Sequence, residues 1–332
     1  MKLLDFAREF IDIDSTTGRE AEAGRWLASK LRALGYRVAE QPVAEGRFNI
    51  LATLDAPRVV FSTHYDCVPP FFGSSVRDGL LYGRGACDAK GILAAQVAAA
   101  ERLHKNGERR IGMLYVVGEE RGSDGAKVAN QASINSKFLI NGEPTDNRLG
   151  AATRGVLRLR LHASGRAAHS SAPELGESAI DKLLDALMLL RTIELPTDPI
   201  IGPTYYTIGL IEGGIAPNVI PPVAWAEALF RTSRPADEVV RSVQALTRSV
   251  RLEEVLRVPH VRLQTLDGLG IDTAVFPFAT DIPFLTNWGT PLLFGPGSFH
   301  VAHTSEEHVR IAEMEDAVEK YVQIATACLA RV

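Results

Sequence analysis

Four short apolar runs, each ending in a loop of glycine and charge, restrict this chain to layered strands and helices. They are Val59–Thr63, Ile111–Val117, Lys137–Ile140 and Pro291–Phe294. A strand wet on one face alternates apolar and polar residues. A run without alternation predicts a strand covered on both faces. The runs lead into His64-Tyr65-Asp66, Gly118-Glu119-Glu120, Asn141-Gly142-Glu143 and Gly295-Pro296-Gly297. Between the first two lies Ile92–His104, an Ala-rich segment that predicts a helix. In α/β sheets of this kind, ligands gather beyond the carboxyl ends of the strands.

The flanking segments extend this pattern. Leu3–Ile13 reads as an amphipathic helix, because Asp5, Arg8, Glu9 and Asp12 break its apolar run; it does not read as a signal peptide. Thr17 and Glu20 have capping-box spacing ahead of a second helix, about Glu20–Leu34, which Gly35 would close. Tyr36–Val43 and Asn49–Leu54 are strand-like, and Ile311–Ala330 predicts a final helix. Near Arg154 the character changes, and Val156–Ala163 alternates with period two. Helices about Ser178–Ile193 and Asp237–Val250, and strands at Tyr205–Glu212, Ala224–Thr232 and within Leu252–Leu266, complete a β-α-β-β-α-β order. The expectation is an α/β domain of residues 1–153 and 261–332, interrupted at 154–260 by a ferredoxin-like α+β domain.

Composition narrows the function classes. The 332 residues are 46% hydrophobic and 23% charged, with a net charge of −4. Those are values of a soluble globular protein. Lys and Arg are scattered, so no nucleic-acid surface is expected. No apolar run is long enough to span a bilayer, so no membrane partner is expected either. Cys67, Cys87 and Cys328 have no framework spacing, which points to a reducing compartment and hence the cytoplasm.

The polar residues at the strand ends are carboxylates and imidazoles: His64, Asp66, Asp88, Glu119, Glu120, Glu143 and His303. That mix suits Zn²⁺, Co²⁺ or Mn²⁺ in a hydrolytic role, not a thiolate structural knuckle. His64 and Asp66 are two apart on a strand and share a face. Asp88, in GRGACDAKG, has two oxygens with which to bridge two cations. Glu119 and Glu120 on extended backbone would point to opposite sides. Each segment alone reads at least as well as an ordinary turn, and the Glu119-Glu120 pair better so; it is their conjunction that carries meaning.

On these motifs the chain resembles the M20 family of metallopeptidases and amidohydrolases, which includes acetylornithine deacetylase and succinyl-diaminopimelate desuccinylase. The resemblance implies a zinc-exopeptidase-like α/β/α catalytic domain with an inserted lid domain. It implies two divalent metal ions, zinc first, with cobalt or manganese as alternatives. His64, Asp88 and Glu143 would hold one ion; Asp88, Glu120 and His303 would hold the other. Glu119 would be the general base acting on a shared water, and Asp66 would orient His64. A cis peptide would follow Asp88. His169, in GRAAHSS, would stabilise the transition state, and Asn218 and Arg231 would bind substrate. The substrate would be a small N-acyl amino acid, cleaved at its amide bond. A dipeptidase or carboxypeptidase on the same site is the alternative, and an inactive binding protein of the same fold is a third reading, which the intact Glu119 opposes. A homodimer through the lid is implied. The stretch between the inserted domain and Gly295 is short for the family, which leaves the specificity pocket open.

Overall fold

The computed structural model describes residues 2–132, 134–246 and 249–332. The chain divides into two compact units. The first comprises Met1–Ala151, Leu263–Ala274 and Thr280–Val332; the second comprises Ala152–Arg262 and Val275–Ala279. Val275–Ala279 was not expected in the second unit. It is tied there by the Arg154 N–H, which donates to the Phe276 carbonyl at 3.0 Å.

The first unit is built on a six-stranded sheet. Its order is Arg37–Ala44, Arg47–Thr53, Ile111–Val116, Val59–His64, Phe138–Asn141, Thr290–Leu293. The last four run parallel, and the first two form an antiparallel hairpin against them. Alternation within the apolar strands explains why they lack a polar face. Phe61 packs into one core with Ile92, Leu93 and Tyr321, while its neighbour Val60 packs into another with Leu139 and Trp288. Helices Lys90–Lys105 and Ile311–Leu329 supply the first core, and the short helix Asp124–Ala129 supplies the second. The sheet is therefore covered on both faces, and polar groups are displaced to the strand ends. Truncating a fully buried ring such as Phe61 to Ala would cost about 3–5 kcal/mol. Among the described residues, no helix is long and apolar enough to cross a membrane.

The second unit has a four-stranded antiparallel sheet in the order Tyr205–Gly213, Val223–Thr232, Gly155–Ser164, Arg251–Val258. Leu157, Leu159 and Leu161 face helices Ala179–Leu190 and Ala236–Leu246, and Arg158, Arg160 and His162 point to the other side. The helix expected to reach Val250 ends at Leu246; residues 247 and 248 lie outside the described residues.

The capping box is not formed. Helix Ala21–Ala33 has no side-chain cap. The Thr17 hydroxyl instead donates to Asp66 Oδ2 at 2.9 Å, and Glu20 accepts from Arg47 at 3.0 Å. Both side chains are claimed by partners distant in sequence.

Candidate metal centre

The parallel strands deliver the site. His64 is the last residue of Val59–His64, Glu119 and Glu120 follow Ile111–Val116, and Glu143 follows Phe138–Asn141. Asp88 lies just before helix Lys90–Lys105, and the Asp88-Ala89 peptide is cis. His303 has a φ of 64°, a left-handed conformation unusual for a side-chain-bearing residue.

Two donor groups result. Atoms of His64, Asp88 and Glu143 lie within 4.8 Å of one another, as do atoms of Asp88, Glu120 and His303. Asp88 belongs to both. Its Oδ1 is 3.0 Å from His64 Nε2, and its Oδ2 is 3.2 Å from His303 Nε2. His303 Nε2 also lies 3.1 Å from Glu120 Oε1.

Glu119 and Glu120 do not sit on extended backbone. They form one 3₁₀ turn, Glu119–Arg121, entered through Gly118 at φ 76°. Both N–H groups donate to Asp66, at 3.1 and 3.3 Å. Asp66 is fully buried and thus fastens this turn. Its carboxylate stays 3.5 Å from His64 Nδ1, whereas its backbone carbonyl is 3.0 Å away. Either acceptor fixes the same ring nitrogen and leaves Nε2 facing Asp88.

The electrostatics are those of a site short of positive charge. Burial pushes the Glu119 and Glu143 carboxyls well above the ordinary range, and neighbouring carboxylates add to it. Glu119 as a whole residue is half-buried, yet its carboxyl turns inward among Glu143, His64 and Asp281. Burial, then Asp88, raises Glu120 too. Asp88 and Glu120 hold His303 up at about 10. For Asp88 burial acts upward, but His303 and His64 prevail and leave its carboxyl below its usual range. Glu143 Oε1 is buried with no hydrogen-bond partner, which is costly unless something positive meets it. Imidazole and carboxylate donors around an orphaned oxygen fit divalent cations of the Zn²⁺, Co²⁺ or Mn²⁺ type.

Other candidates fall away. His300 lies against Phe299, its ring centroid 4.0 Å away, and His308 Nδ1 contacts the Glu306 carbonyl. Cys87 donates to the Ser298 carbonyl, and burial pushes the Cys67 thiol up to about 12. Neither sulfur belongs to a donor group.

His169, Asn218 and Arg231 lie in the second unit. The Ser170 N–H donates to the Asn218 carbonyl at 3.0 Å, so the loops of His169 and Asn218 adjoin. The Ser171 N–H donates to His169 Nδ1 at 3.2 Å. That nitrogen is an acceptor, so the neutral ring carries its proton on Nε2. Arg231 lies on strand Val223–Thr232 opposite Tyr205, and burial lowers its pKa.

Two residues were not anticipated from the sequence. Asp281 is 1% exposed, and neither carboxyl oxygen accepts a well-formed hydrogen bond. Burial lifts it to about 6, partly countered by Ser123. No spacing pattern marks it. Glu307 is fully buried against the Asp88 segment. Its one signal is that it follows His303 by a single helical turn's worth of sequence.

The chain belongs to peptidase family M20/M25/M40, whose family model matches residues 60–327. It is a hydrolase of a metal-dependent metallopeptidase family. A probable carboxypeptidase of Aspergillus terreus is 35% identical, with 98% of this chain and 86% of the relative covered. A peptidase M20 domain-containing protein of Schizosaccharomyces pombe is also 35% identical, with 96% and 83% covered. The same fold occurs in a tripeptidase from Staphylococcus aureus, with a TM-score of 0.82 at 23% identity over 98% of each chain. It recurs in an M20 family metallo-carboxypeptidase from Sulfolobus solfataricus, with a TM-score of 0.79 at 15% identity over 99% of each chain.

Proposed function

We propose that this chain hydrolyses an amide bond next to a free carboxylate, with two divalent cations, zinc first. His64, Asp88 and Glu143 would hold one, and Asp88, Glu120 and His303 the other. The carrying observation is Asp88, with one oxygen turned to each histidine at about 3 Å. Bound cations supply positive charge that polarises a carbonyl and acidifies water. Glu119, which is in neither donor group, is free to take a proton from the attacking water and return it to the leaving amine. Asp66 holds Glu119 in place through its backbone N–H. His169 Nε2–H is a donor suited to the oxyanion. Arg231 and Asn218 would bind the substrate; a guanidinium suits a carboxylate because its fork bonds bidentately.

The first reading of the substrate is an N-acyl amino acid of the acetyl or succinyl kind. The second reading is a carboxypeptidase acting on short peptides, and the probable carboxypeptidases among the relatives favour it. Both place an amide beside a carboxylate. A panel of acetyl- and succinyl-amino acids beside dipeptides and blocked peptides, assayed with added Zn²⁺ or Co²⁺, separates them. Turnover of peptides alone would remove the deacylase reading, and turnover of neither class would remove both.

The second unit is proposed as a lid that pairs two copies. Leu184 and Met188 on its helix and Leu210 and Ile211 on its edge strand are exposed. Exposed apolar side chains beside an open strand edge favour pairing. Sedimentation showing an active monomer would remove this reading.

A further inference from the structure

The first unit contains a buried ion pair, Arg84 with Glu307, whose own residues belong to neither donor group. Glu307 is fully buried, and Arg84 is 2% exposed. Glu307 Oε2 accepts from Arg84 Nη1. Glu307 Oε1 accepts three backbone N–H groups: Gly85 at 2.9 Å, Asp88 at 3.2 Å and Cys87 at 3.3 Å. The Glu307 carbonyl accepts a further N–H from Gly83 at 3.2 Å. Arg84 is fastened in turn. Its Nε donates to the Pro70 carbonyl at 3.2 Å, and its guanidinium lies over the Phe72 ring, 5.1 Å from the centroid.

We propose that Glu307, braced by Arg84, is a positioning residue that sets Asp88 between the two cation sites; this rests on the two-cation reading above. A buried ion pair adds little net stability over a well-packed apolar pair. What this one supplies is direction. Three amides converging on one oxygen fix the backbone from Gly85 to Asp88, and with it the aim of the Asp88 side chain. Glu307 also lies four residues beyond His303. One carboxylate thus joins the segment carrying Asp88 to the segment carrying His303, and both belong to the same donor group. Groups that orient metal ligands in this way commonly govern affinity by about 10- to 100-fold.

The test uses the full chain and Zn²⁺ as the probe. Glu307→Gln keeps an acceptor oxygen and removes the charge. Glu307→Asp keeps the charge beside Arg84 and shortens the reach to the amides, so it supplies a folded variant if Glu307→Gln yields none. Thermal unfolding is measured with chelator and with zinc, and zinc affinity by competition with an indicator. The expected result is an affinity loss of about 10- to 100-fold, felt first at the Asp88–Glu120–His303 site. The zinc-dependent rise in melting temperature then shrinks relative to the unaltered protein. Equal falls in both melting temperatures, with unchanged zinc affinity, would overturn the proposal and leave Glu307 a structural residue. An unaltered protein without any zinc-dependent rise would instead overturn the two-cation reading, and this proposal with it.

Discussion

Oδ1 of Asp88 lies 3.0 Å from Nε2 of His64. Its other oxygen faces His303, so a single side chain is common to both donor groups. Removing it should have a different effect from removing any other proposed ligand. Asp88→Ala is expected to bind neither cation tightly, whereas Glu143→Ala and His303→Ala should each lose one equivalent. Elemental analysis after dialysis against zinc distinguishes these cases. An Asp88→Ala protein that retained two equivalents would end the shared-ligand assignment.

Glu119 stands outside both donor groups. Glu119→Gln should therefore keep both equivalents while turnover falls about 10²- to 10⁴-fold, the usual worth of a positioned acid–base group. The comparison needs kcat and metal content on the same preparation. Undiminished kcat would remove Glu119 from proton transfer.

Asp281 gives a pH signature in the metal-free protein. Its folded pKa is raised to about 6 from 3.8. Over that interval the folded chain holds a proton that the unfolded chain has released, so stability falls as pH rises from about 4 to about 6. Asp281→Asn should flatten this part of the profile and be the more stable protein at pH 7. Denaturant titrations of both proteins in chelator, taken at half-unit pH steps, measure the difference. Parallel profiles would show that Asp281 is solvated in a way its burial does not suggest.

Arg231 is a guanidinium with no carboxylate partner among the described residues. Lost charged hydrogen bonds are worth about 1.5–3 kcal/mol, so Arg231→Ala should lower kcat/KM roughly 10- to 100-fold for a substrate with a free carboxylate. The loss should appear mainly in KM. A substrate whose carboxylate is amidated should be insensitive to the change. Equal losses on both substrates would mean that Arg231 serves the fold.

Much of this was legible in sequence, for a physical reason. A strand covered on both faces must be apolar throughout, so its end is marked sharply. His64, Glu119, Glu120 and Glu143 all sit at such ends. The insertion was legible because Val156–Ala163 alternates, and only a sheet with one covered face does so. What escaped were roles fixed by distant contacts that no motif marks. Thr17 and Glu20 have the spacing of a cap, but Asp66 and Arg47 claim them. Glu307 meets Arg84 across 223 positions of chain. Asp281 has no spacing partner at all. The 3₁₀ turn at Glu119–Arg121 was missed because Asp66, over fifty positions upstream, is what bends it.

The insertion of the second unit has a consequence for the order of assembly. His303 lies beyond the whole of Ala152–Arg262, whereas the other four proposed ligands precede it. A nascent chain emerging from the ribosome would present His64, Asp88 and Glu143 long before His303. One ion could then be captured early, and the second only after the segment carrying His303 has emerged. Occupancy of the second site would accordingly report that this segment had joined the first unit.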